Sequence, residues 1–466
     1  MNKLEKLFKV IFIGLFLVTA VACSDDDDGN MAPASNTIAD FVVANEANYS
    51  LLLEALQKAD GNLVATLSGN GPFTVFAPDN TAFTAFLNDN GFADIDAVPT
   101  DVLSQILLNH VVCGSVQSTQ LSTGYIKTLA TSSAANQTMS MYVDLSSGVK
   151  LNGVSSVTGA DNIVDNGVVH LVDGVIGLPS IATLAAANSG FSSLVAALDA
   201  ASLVSTVDTG GPFTVLAPDD NAFTTFLDGA ALGDIPVETL TQVLLNHVLN
   251  DVTLSTDLTT AGAGYANTLA KGAGDNDMSI YFNTDSGVSF NGVSNVAAAD
   301  VIAENGVIHA VDAVIGLPTV VTFATADPTF STLVAALTDS RLTTDFVSVL
   351  STPDGTDPAP FTVFAPTNDA FTDLLAELNA GGLGDIDEPT LNATLTYHVV
   401  GGANVLDSDL SDGLTVTTLG GDITADVTGG PKLTDANDRE SGIIATNVQA
   451  ANGIIHVINK VILPPL

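Results

Sequence analysis

The sequence predicts an α+β fold that is repeated three times in tandem. Spacings of about 140–150 residues between recurring strings are lengths of whole domains rather than of solenoid repeats. Within each unit, helical periodicity comes before strand alternation, which is the order typical of α+β domains. The recurring strings are Phe-Thr-Val-Phe/Leu-Ala-Pro at 73–78, 213–218 and 361–366, and Asn-Gly-Val/Ile-Val/Ile-His at 166–170, 305–309 and 452–456.

The repeats place three domains end to end, at residues 36–179, 180–318 and 319–466. Leu178-Pro179 and Leu317-Pro318 close the first two units, so almost no linker separates one unit from the next. Because short connections restrict relative motion, we expect a semi-rigid array rather than loosely joined domains.

Each unit begins with helices. Apolar residues three and four positions apart within 82–87 predict an amphipathic helix, and Asp79 is placed to cap its start. Asp219 and Thr367 occupy the equivalent cap positions in the second and third units.

The second half of each unit has the pattern of strands. Residues 139–143 and 278–282 alternate apolar and polar side chains, which predicts half-buried strands. Asn152-Gly153 and Asn291-Gly292 then supply hairpin turns that need positive φ. We therefore expect an antiparallel sheet in each unit.

The two recurring strings resemble the signature boxes of the fasciclin, or beta-Ig-h3, family. They read Thr-Val-Phe-Ala-Pro-x-Asn/Asp-x-Ala-Phe and Asn-Gly-Val-Ile-His-x-Val-Asp-x-Val-Ile, and the resemblance covers about 430 residues in three units. It implies a two-sheet β-wedge with helices packed along one side. It also implies extracellular adhesion through protein or glycan contacts, and no enzymatic activity.

The N-terminal residues are typical of an exported lipoprotein. Residues 1–22 combine three lysines with a short uncharged run, which predicts a signal peptide because a spanning helix needs about 20 apolar residues. The run ends in a segment that resembles a bacterial lipobox, so we expect lipid on Cys23 and an acidic tether at 23–35. Ser24 and the four aspartates after it resemble the surface-export signal of Bacteroidetes lipoproteins, with periplasmic retention as the alternative.

The charge balance excludes one class of partner. The formal net charge is −41, from 52 acidic and 11 basic residues, and Arg341 and Arg439 are the two arginines. Nucleic-acid binding needs clustered Lys and Arg, so we expect no nucleic-acid partner. An anionic membrane surface is disfavoured for the same reason, which leaves the N-terminal lipid as the membrane contact.

Six histidines recur at two matching places in each unit. A metal or catalytic site is one interpretation, but no unit has a His-x-x-x-His pair, a cysteine cluster or a repeated carboxylate at ligand spacing. Because each histidine lies in an apolar string, we predict buried imidazoles that bridge helix and sheet, and we expect no metal or cofactor. The six are His110, His170, His247, His309, His398 and His456.

The family resemblance also suggests a partner contact. A Tyr-His pair is implicated in receptor contact in some fasciclin members, and Tyr397-His398 matches it in the third unit. The first two units have Asn109 and Asn246 before the histidine, so the resemblance suggests this partner contact in the third unit alone.

Cell-surface adhesion through repeated weak protein or glycan contacts is the predicted function, with an extracellular matrix protein or polysaccharide as the partner. No Gly-x-Ser-x-Gly elbow, dinucleotide fingerprint or phosphate loop occurs in the sequence. A receptor for a small apolar or sugar ligand is the main alternative, and a hydrolase that uses a His-Asp pair is the third. Cys113 lies among Val111, Val112 and Gly114, which predicts a buried apolar environment.

Overall fold

The computed structural model describes residues 36–465, which form three successive domains of one architecture. Each domain combines helices with seven strands, so the predicted α+β fold class is confirmed. The signal segment 1–22, Cys23 and the acidic tether 23–35 lie outside the described residues.

Domain 1 begins with three helices and ends with five consecutive strands. Its helices are α1 (Ile38–Ala44), α2 (Glu46–Lys58), α3 (Leu63–Leu67), α4 (Asn80–Asp89) and α5 (Thr100–Asn109). Its strands are β1 (Phe73–Pro78), β2 (Val111–Cys113), β3 (Gly124–Thr131), β4 (Thr138–Asp144), β5 (Lys150–Leu151), β6 (Ser155–Val164) and β7 (Gly167–Val172).

Domain 2 has the same order with one additional helix, α11. Its helices are α6 (Ile181–Ala187), α7 (Ser192–Ala200), α8 (Val204–Thr209), α9 (Asp220–Leu227), α10 (Val237–Leu245) and α11 (Ser255–Ala261). Its strands are β8 (Phe213–Pro218), β9 (Val248–Leu249), β10 (Ala263–Lys271), β11 (Asp277–Asn283), β12 (Ser289–Phe290), β13 (Ser294–Ala303) and β14 (Gly306–Val311).

Domain 3 repeats the order of domain 1. Its helices are α12 (Val320–Ala326), α13 (Ser331–Leu337), α14 (Phe346–Leu350), α15 (Asn368–Glu377) and α16 (Glu388–Thr396). Its strands are β15 (Phe361–Pro366), β16 (Val399–Gly401), β17 (Leu414–Thr418), β18 (Gly421–Asp426), β19 (Lys432–Thr434), β20 (Glu440–Ala450) and β21 (Gly453–Ile458).

The strands of each domain form one continuous ladder, in the order β2-β1-β7-β6-β5-β4-β3 in domain 1. In domain 2 the ladder also closes into a barrel, because Thr268 of β10 lies opposite Leu249 of β9. The expectation of a purely antiparallel sheet is wrong for one pair of strands in each domain. The pairs β1–β7, β8–β14 and β15–β21 run parallel, because the intervening helices and strands form the long crossover that parallel pairing requires.

The curved ladder separates two apolar cores in each domain. The larger core of domain 1 lies between the helices and one face of the β1–β7 pair, where Val75 and Val169 meet residues of α1 to α5. The smaller core is enclosed by the strands and contains Phe76, Met141 and Leu151. Helices therefore cover one side of the sheet, as the family resemblance implies.

The predicted helix caps and hairpin turns are confirmed. Asn152 and Gly153 have φ values of 48° and 70°, the positive pair that a tight hairpin turn requires. Asn291 and Gly292 repeat the turn with φ values of 49° and 66°. At the helix starts, Asp79 accepts from Ala82 N at 2.8 Å, Asp219 from Ala222 N at 2.7 Å and Thr367 from Ala370 N at 3.2 Å.

A buried asparagine at the start of the last strand joins three parts of each domain. Asn166 Oδ1 accepts a hydrogen bond from Ile38 N at 2.8 Å, at the start of α1. Its Nδ2 donates to Leu67 O and to Gly69 O, both at 2.8 Å, at the end of α3. Asn305 and Asn452 make the equivalent bonds in domains 2 and 3.

The glycine after this asparagine is required by the close approach of two strands. Gly167 has a φ of 152°, and a Cβ at this position would lie 1.9 Å from Phe73 O on the parallel partner strand. The Asn-Gly pair of the second recurring string is therefore a structural element, and its bonds fix the first and third helices against the sheet.

We expect Asn166→Ala to lower the free energy of unfolding of domain 1 by about 2–4 kcal/mol, because buried donors and acceptors lose their partners. Urea denaturation followed by circular dichroism measures the change. The matched control is Asn88→Ala on the exposed face of α4, where we expect a change within about 0.5 kcal/mol. Equal effects of the two substitutions would contradict the role given to Asn166.

Candidate functional site

Three of the six histidines connect the end of a helix to the last segment of their domain. In domain 1, His110 Nδ1 donates to Ile106 O at 2.8 Å and its Nε2 accepts from Ile176 N at 2.9 Å. His247 and His398 make the same two contacts in domains 2 and 3. Burial lowers the pKa of each of these three imidazoles to about 4, so they are neutral at pH 7.

The other three histidines hold the last strand to its neighbours. His170 Nε2 donates to Val116 O at 2.9 Å, and its Nδ1 accepts from Asp161 N at 3.2 Å. His309 and His456 repeat this pattern, with burial lowering the pKa of both imidazoles. Because both nitrogens of every imidazole contact main-chain groups, the geometry gives the hydrolase alternative no support.

Tyr397 and His398 lie inside domain 3, with 0% and 3% of their surface exposed, so the suggested partner contact is corrected. The tyrosine ring fills the smaller core, and its hydroxyl donates to Asp422 O at 2.5 Å and accepts from Ala436 N at 3.2 Å. The ring is buried and the hydroxyl has both of its hydrogen-bond partners within the domain, so neither group is available to a partner.

Cys113 is exposed at the end of β2, where the chain leaves the sheet, so the expectation of a buried side chain is wrong. Within residues 36–465, no group of three or more His, Cys, Asp or Glu side chains is arranged to hold a metal ion. In the same residues no single helix is long and apolar enough to cross a membrane. Two helix pairs, bent by 102° and 95°, reach the required length and composition only when their halves are taken together.

Successive domains are in direct contact through the same side of each domain. We call the outward side of the hairpin β3–β4, and of its equivalents β10–β11 and β17–β18, the coupling edge. Ser140 Oγ on the edge of domain 1 accepts from Ile302 N on β13 at 3.0 Å. Ser279 Oγ on the edge of domain 2 accepts from Gln449 N on β20, also at 3.0 Å. The two junctions therefore use one geometry.

Tyrosines extend both junctions. Tyr125 OH donates to Leu184 O of domain 2 at 3.1 Å, and Tyr265 OH donates to Asp327 Oδ2 of domain 3 at 2.9 Å. Burial raises the pKa of Tyr125 to about 12. Burial, followed by the charge of Asp327, raises the pKa of Tyr265 further. Both phenols therefore remain neutral donors at physiological pH.

The junction changes the environment of a strand that the sequence predicts to be half-buried. Every residue of 139–143 is buried, although Ser140 and Tyr142 lie on the side opposite Met141. The next domain covers that second side. The amphipathic pattern is thus correct for an isolated domain, and the additional burial comes from the neighbouring domain.

The coupling edge of domain 3 is solvent-exposed and has a different chemistry. Strand pairing places Asp422 where domains 1 and 2 have Ser140 and Ser279. By the same register, Thr415 and Thr424 replace the two tyrosines of each junction, and both are exposed. Thr417 Oγ1 donates to Asp422 Oδ1 at 2.8 Å, so hydroxyl and carboxylate groups lie side by side on this surface.

Sequence reasoning missed this surface, although a signal was present. Tyr125 and Tyr142 of the first unit recur as Tyr265 and Tyr281 in the second unit and have no counterpart in the third. A position that is equal in two repeats and different in the last one indicates a contact that the last repeat does not make.

At the other end of the array, domain 1 exposes the surface that receives a coupling edge. Ile163 corresponds to Ile302 and Gln449, and it is 64% exposed, whereas those residues are 1% and 2% exposed. Asp165 N beside it donates to Asn36 O at 3.0 Å, where the described part of the chain begins. This surface therefore lies next to the point at which the N-terminal segment joins domain 1.

The family model of the fasciclin domain matches residues 47–179, 189–318 and 328–464. Transforming growth factor-beta-induced protein ig-h3 of Sus scrofa is 28% identical to the chain over 432 residues, which cover 91% of this chain and 57% of ig-h3. Periostin of Homo sapiens is 25% identical over 453 residues, which cover 94% of this chain and 48% of periostin. The chain thus spans about half the length of these two relatives.

A bacterial relative and a solved structure match shorter parts. The cell surface glycolipoprotein MPB83 of Mycobacterium bovis is 34% identical over 148 residues, which cover 31% of this chain and 60% of MPB83. The FAS1 domain pair of the insect cell adhesion molecule fasciclin I covers 56% of this chain and 94% of its own, with 18% identity and a TM-score of 0.37.

Stability should fall as the pH is lowered from 7 to 5. His110, His247 and His398 have native pKa values of about 4 against 6.5 when unfolded, so the unfolded state binds more protons in this range. Proton binding by each of these histidines in the unfolded state should make the free energy of unfolding about 1–2 kcal/mol lower at pH 5 than at pH 7. Urea denaturation at pH 8, 7, 6 and 5 measures the profile, with a loss of only about 0.1–0.2 kcal/mol per histidine expected between pH 8 and 7.

His247→Gln provides the comparison for this pH profile. Because glutamine does not titrate, the variant should be less stable at pH 7 and should lose less further stability at pH 5 than the wild-type chain. An unfolding free energy of the wild-type chain that is equal or higher at pH 5 would contradict the neutral, buried state of these imidazoles.

Proposed function

We propose that this chain, which belongs to the fasciclin family, is an adhesion protein that contacts an extracellular protein or polysaccharide through the coupling edge of domain 3. This proposal rests on the difference between the three equivalent coupling edges of the chain. Two of them are covered by the next domain, and the third is exposed and has lost the groups that make the junction.

The residues of this edge favour a polar partner. Thr415, Thr417, Asp422 and Thr424 are all exposed and lie on two paired strands. Hydroxyl and carboxylate groups in a row offer hydrogen bonds to sugar hydroxyls or to the basic side chains of a protein. The net charge of −41 adds an attractive field for basic partners, which salt would screen.

Because the coupling edges of domains 1 and 2 are covered, each chain offers one exposed edge for binding. Repeated weak contacts were expected from three equivalent sites in one chain, yet the edges of domains 1 and 2 are occupied. Multivalency would then come from many chains held on one cell surface, which raises the effective concentration of a single site per chain.

The lipid anchor belongs to the same proposal. We infer that Cys23 is acylated and that residues 24–35 carry the array outward to the cell surface. The lipobox-like segment and the similarity of one domain to a cell surface glycolipoprotein support this location. Domains 1 and 2 would then separate the partner-binding edge of domain 3 from the anchor.

Asp422→Lys should reduce adhesion at least tenfold, because it reverses the charge at the centre of the exposed edge. A glycan and matrix-protein array probed with the purified protein at low and high salt measures binding, and its two halves separate a polysaccharide from a protein partner. The control is Asp101→Lys on the exposed face of α5, which makes the same charge change away from the edge. Equal binding by both variants would contradict the assignment of this edge.

Cys23→Ser should release the protein from the membrane fraction, because the thiol that would carry the lipid is removed. Fractionation of cells followed by immunoblotting measures the distribution, and protease treatment of intact cells tests surface exposure. Wild-type protein that resists protease on intact cells and is digested after lysis would favour periplasmic retention. A Cys23→Ser variant that stays with the membrane would contradict acylation at this residue.

A further inference from the structure

Domain 3 contains an apolar cavity of about 180 Å³ between the helices α12, α13 and α14 and the strands β15 and β21. Twelve of its fourteen lining residues are apolar, and the other two are Thr325 and Thr338. Both threonine hydroxyls donate to main-chain carbonyls one turn earlier, at Val321 O and Val334 O. The cavity wall therefore offers hydrocarbon surface and no unpaired polar group.

The equivalent position in domain 2 holds a cavity of only about 20 Å³. Most of the lining is the same in both domains: Ala185 of domain 2 corresponds to Ala324 of domain 3, and Ile181 corresponds to Val320. The main difference is the connection before the third helix, which is 201–203 in domain 2 and 338–345 in domain 3. The connection is therefore five residues longer in domain 3.

Two sets of hydrogen bonds hold the wall of the cavity in place. Arg341 in the longer connection donates to Leu383 O at 3.0 Å and to Ile386 O at 2.8 Å, and its guanidinium pairs with Asp339. At the other end of α14, Asn452 Nδ2 donates to Leu350 O at 2.8 Å. These bonds attach the longer connection to residues 383–386 and attach the C-terminal end of α14 to the residue before β21.

We propose that this cavity is a binding site for an uncharged hydrocarbon group of about six to ten carbon atoms. An apolar cavity of roughly 150 Å³ stays dry and binds benzene, so the volume and lining found here suit a single ring or a short chain. The opening lies beside Val347, which is 38% exposed, and beside the exposed Thr325 and Thr338. A longer chain can enter by its end and leave its head group at this opening.

The charge around the opening selects against an anionic head group. Asp345 lies beside the rim in sequence, Asp339 is paired with Arg341, and the chain as a whole has a net charge of −41. A carboxylate at the opening would be repelled, whereas a hydroxyl or a bare hydrocarbon would not. The cavity is separate from the coupling edge of domain 3, which lies on the hairpin β17–β18.

Thermal unfolding of the purified protein with toluene, 1-octanol or octanoate tests the site. Toluene and 1-octanol at about ten times their Kd should raise the Tm of domain 3 by roughly 3–6 °C. Octanoate should bind at least tenfold more weakly, because it differs from 1-octanol in its charged head. The absence of a shift with both uncharged probes, or equal affinity for octanoate and 1-octanol, would overturn the proposal.

Paired substitutions in equivalent cavities separate specific from non-specific binding. Ala324→Leu should fill the cavity, leave the Tm of domain 3 equal or higher, and abolish the toluene shift. Ala185→Leu makes the same change where the cavity is about 20 Å³, so it should lower the Tm of domain 2 by roughly 3–10 °C and leave the toluene shift intact. An undiminished toluene shift in Ala324→Leu would overturn the proposal.

A rim variant covers the case in which Ala324→Leu does not fold. Val347→Asp adds a charge at an exposed position of the opening and leaves the buried wall unchanged. It should weaken the binding of toluene and 1-octanol at least tenfold, measured by calorimetric titration. Unchanged affinity in this variant would place the bound hydrocarbon elsewhere and contradict the proposed site.

Discussion

Asn166, Asn305 and Asn452 each close a domain by joining its first helix, its third helix and its parallel ladder through one side chain. A buried amide is stable only when its donor and acceptor are both satisfied, so these bonds fix three segments at once. The glycine that follows lets the two parallel strands approach. In domain 3 the same amide binds the carbonyl of Leu350 at the end of α14, which borders the apolar cavity.

Local features of the fold were predictable from the sequence, and long-range features were not. The caps at Asp79, Asp219 and Thr367 and the turn at Asn152-Gly153 depend on a few neighbouring residues, and the structure contains them all. The parallel ladder joins segments about 90 residues apart, and periodicity carries no information about such pairing. The family resemblance placed Tyr397 at a partner contact, whereas the size of its ring and the nearby carbonyl of Asp422 keep it inside the domain.

The candidate site was hidden from the sequence for a different physical reason. Alternation along 139–143 correctly identifies which side of the strand faces its own core, but it does not show that another domain covers the opposite side. Serine and tyrosine serve equally well on an exposed strand and in a polar junction, so their identity alone does not distinguish the two. Only the comparison between repeats, with Asp422 in the place of a serine, separates the covered edges from the exposed one.

The carboxylate at Asp422 also limits how such an array can grow. A further domain added after domain 3 would have to bury this charge where the other junctions bury a serine hydroxyl, and an unpaired buried carboxylate is strongly unfavourable. End-to-end association of two chains through the same surfaces meets the same barrier. The edge of domain 3 therefore suits contact with water or a polar partner better than the kind of junction that domains 1 and 2 make.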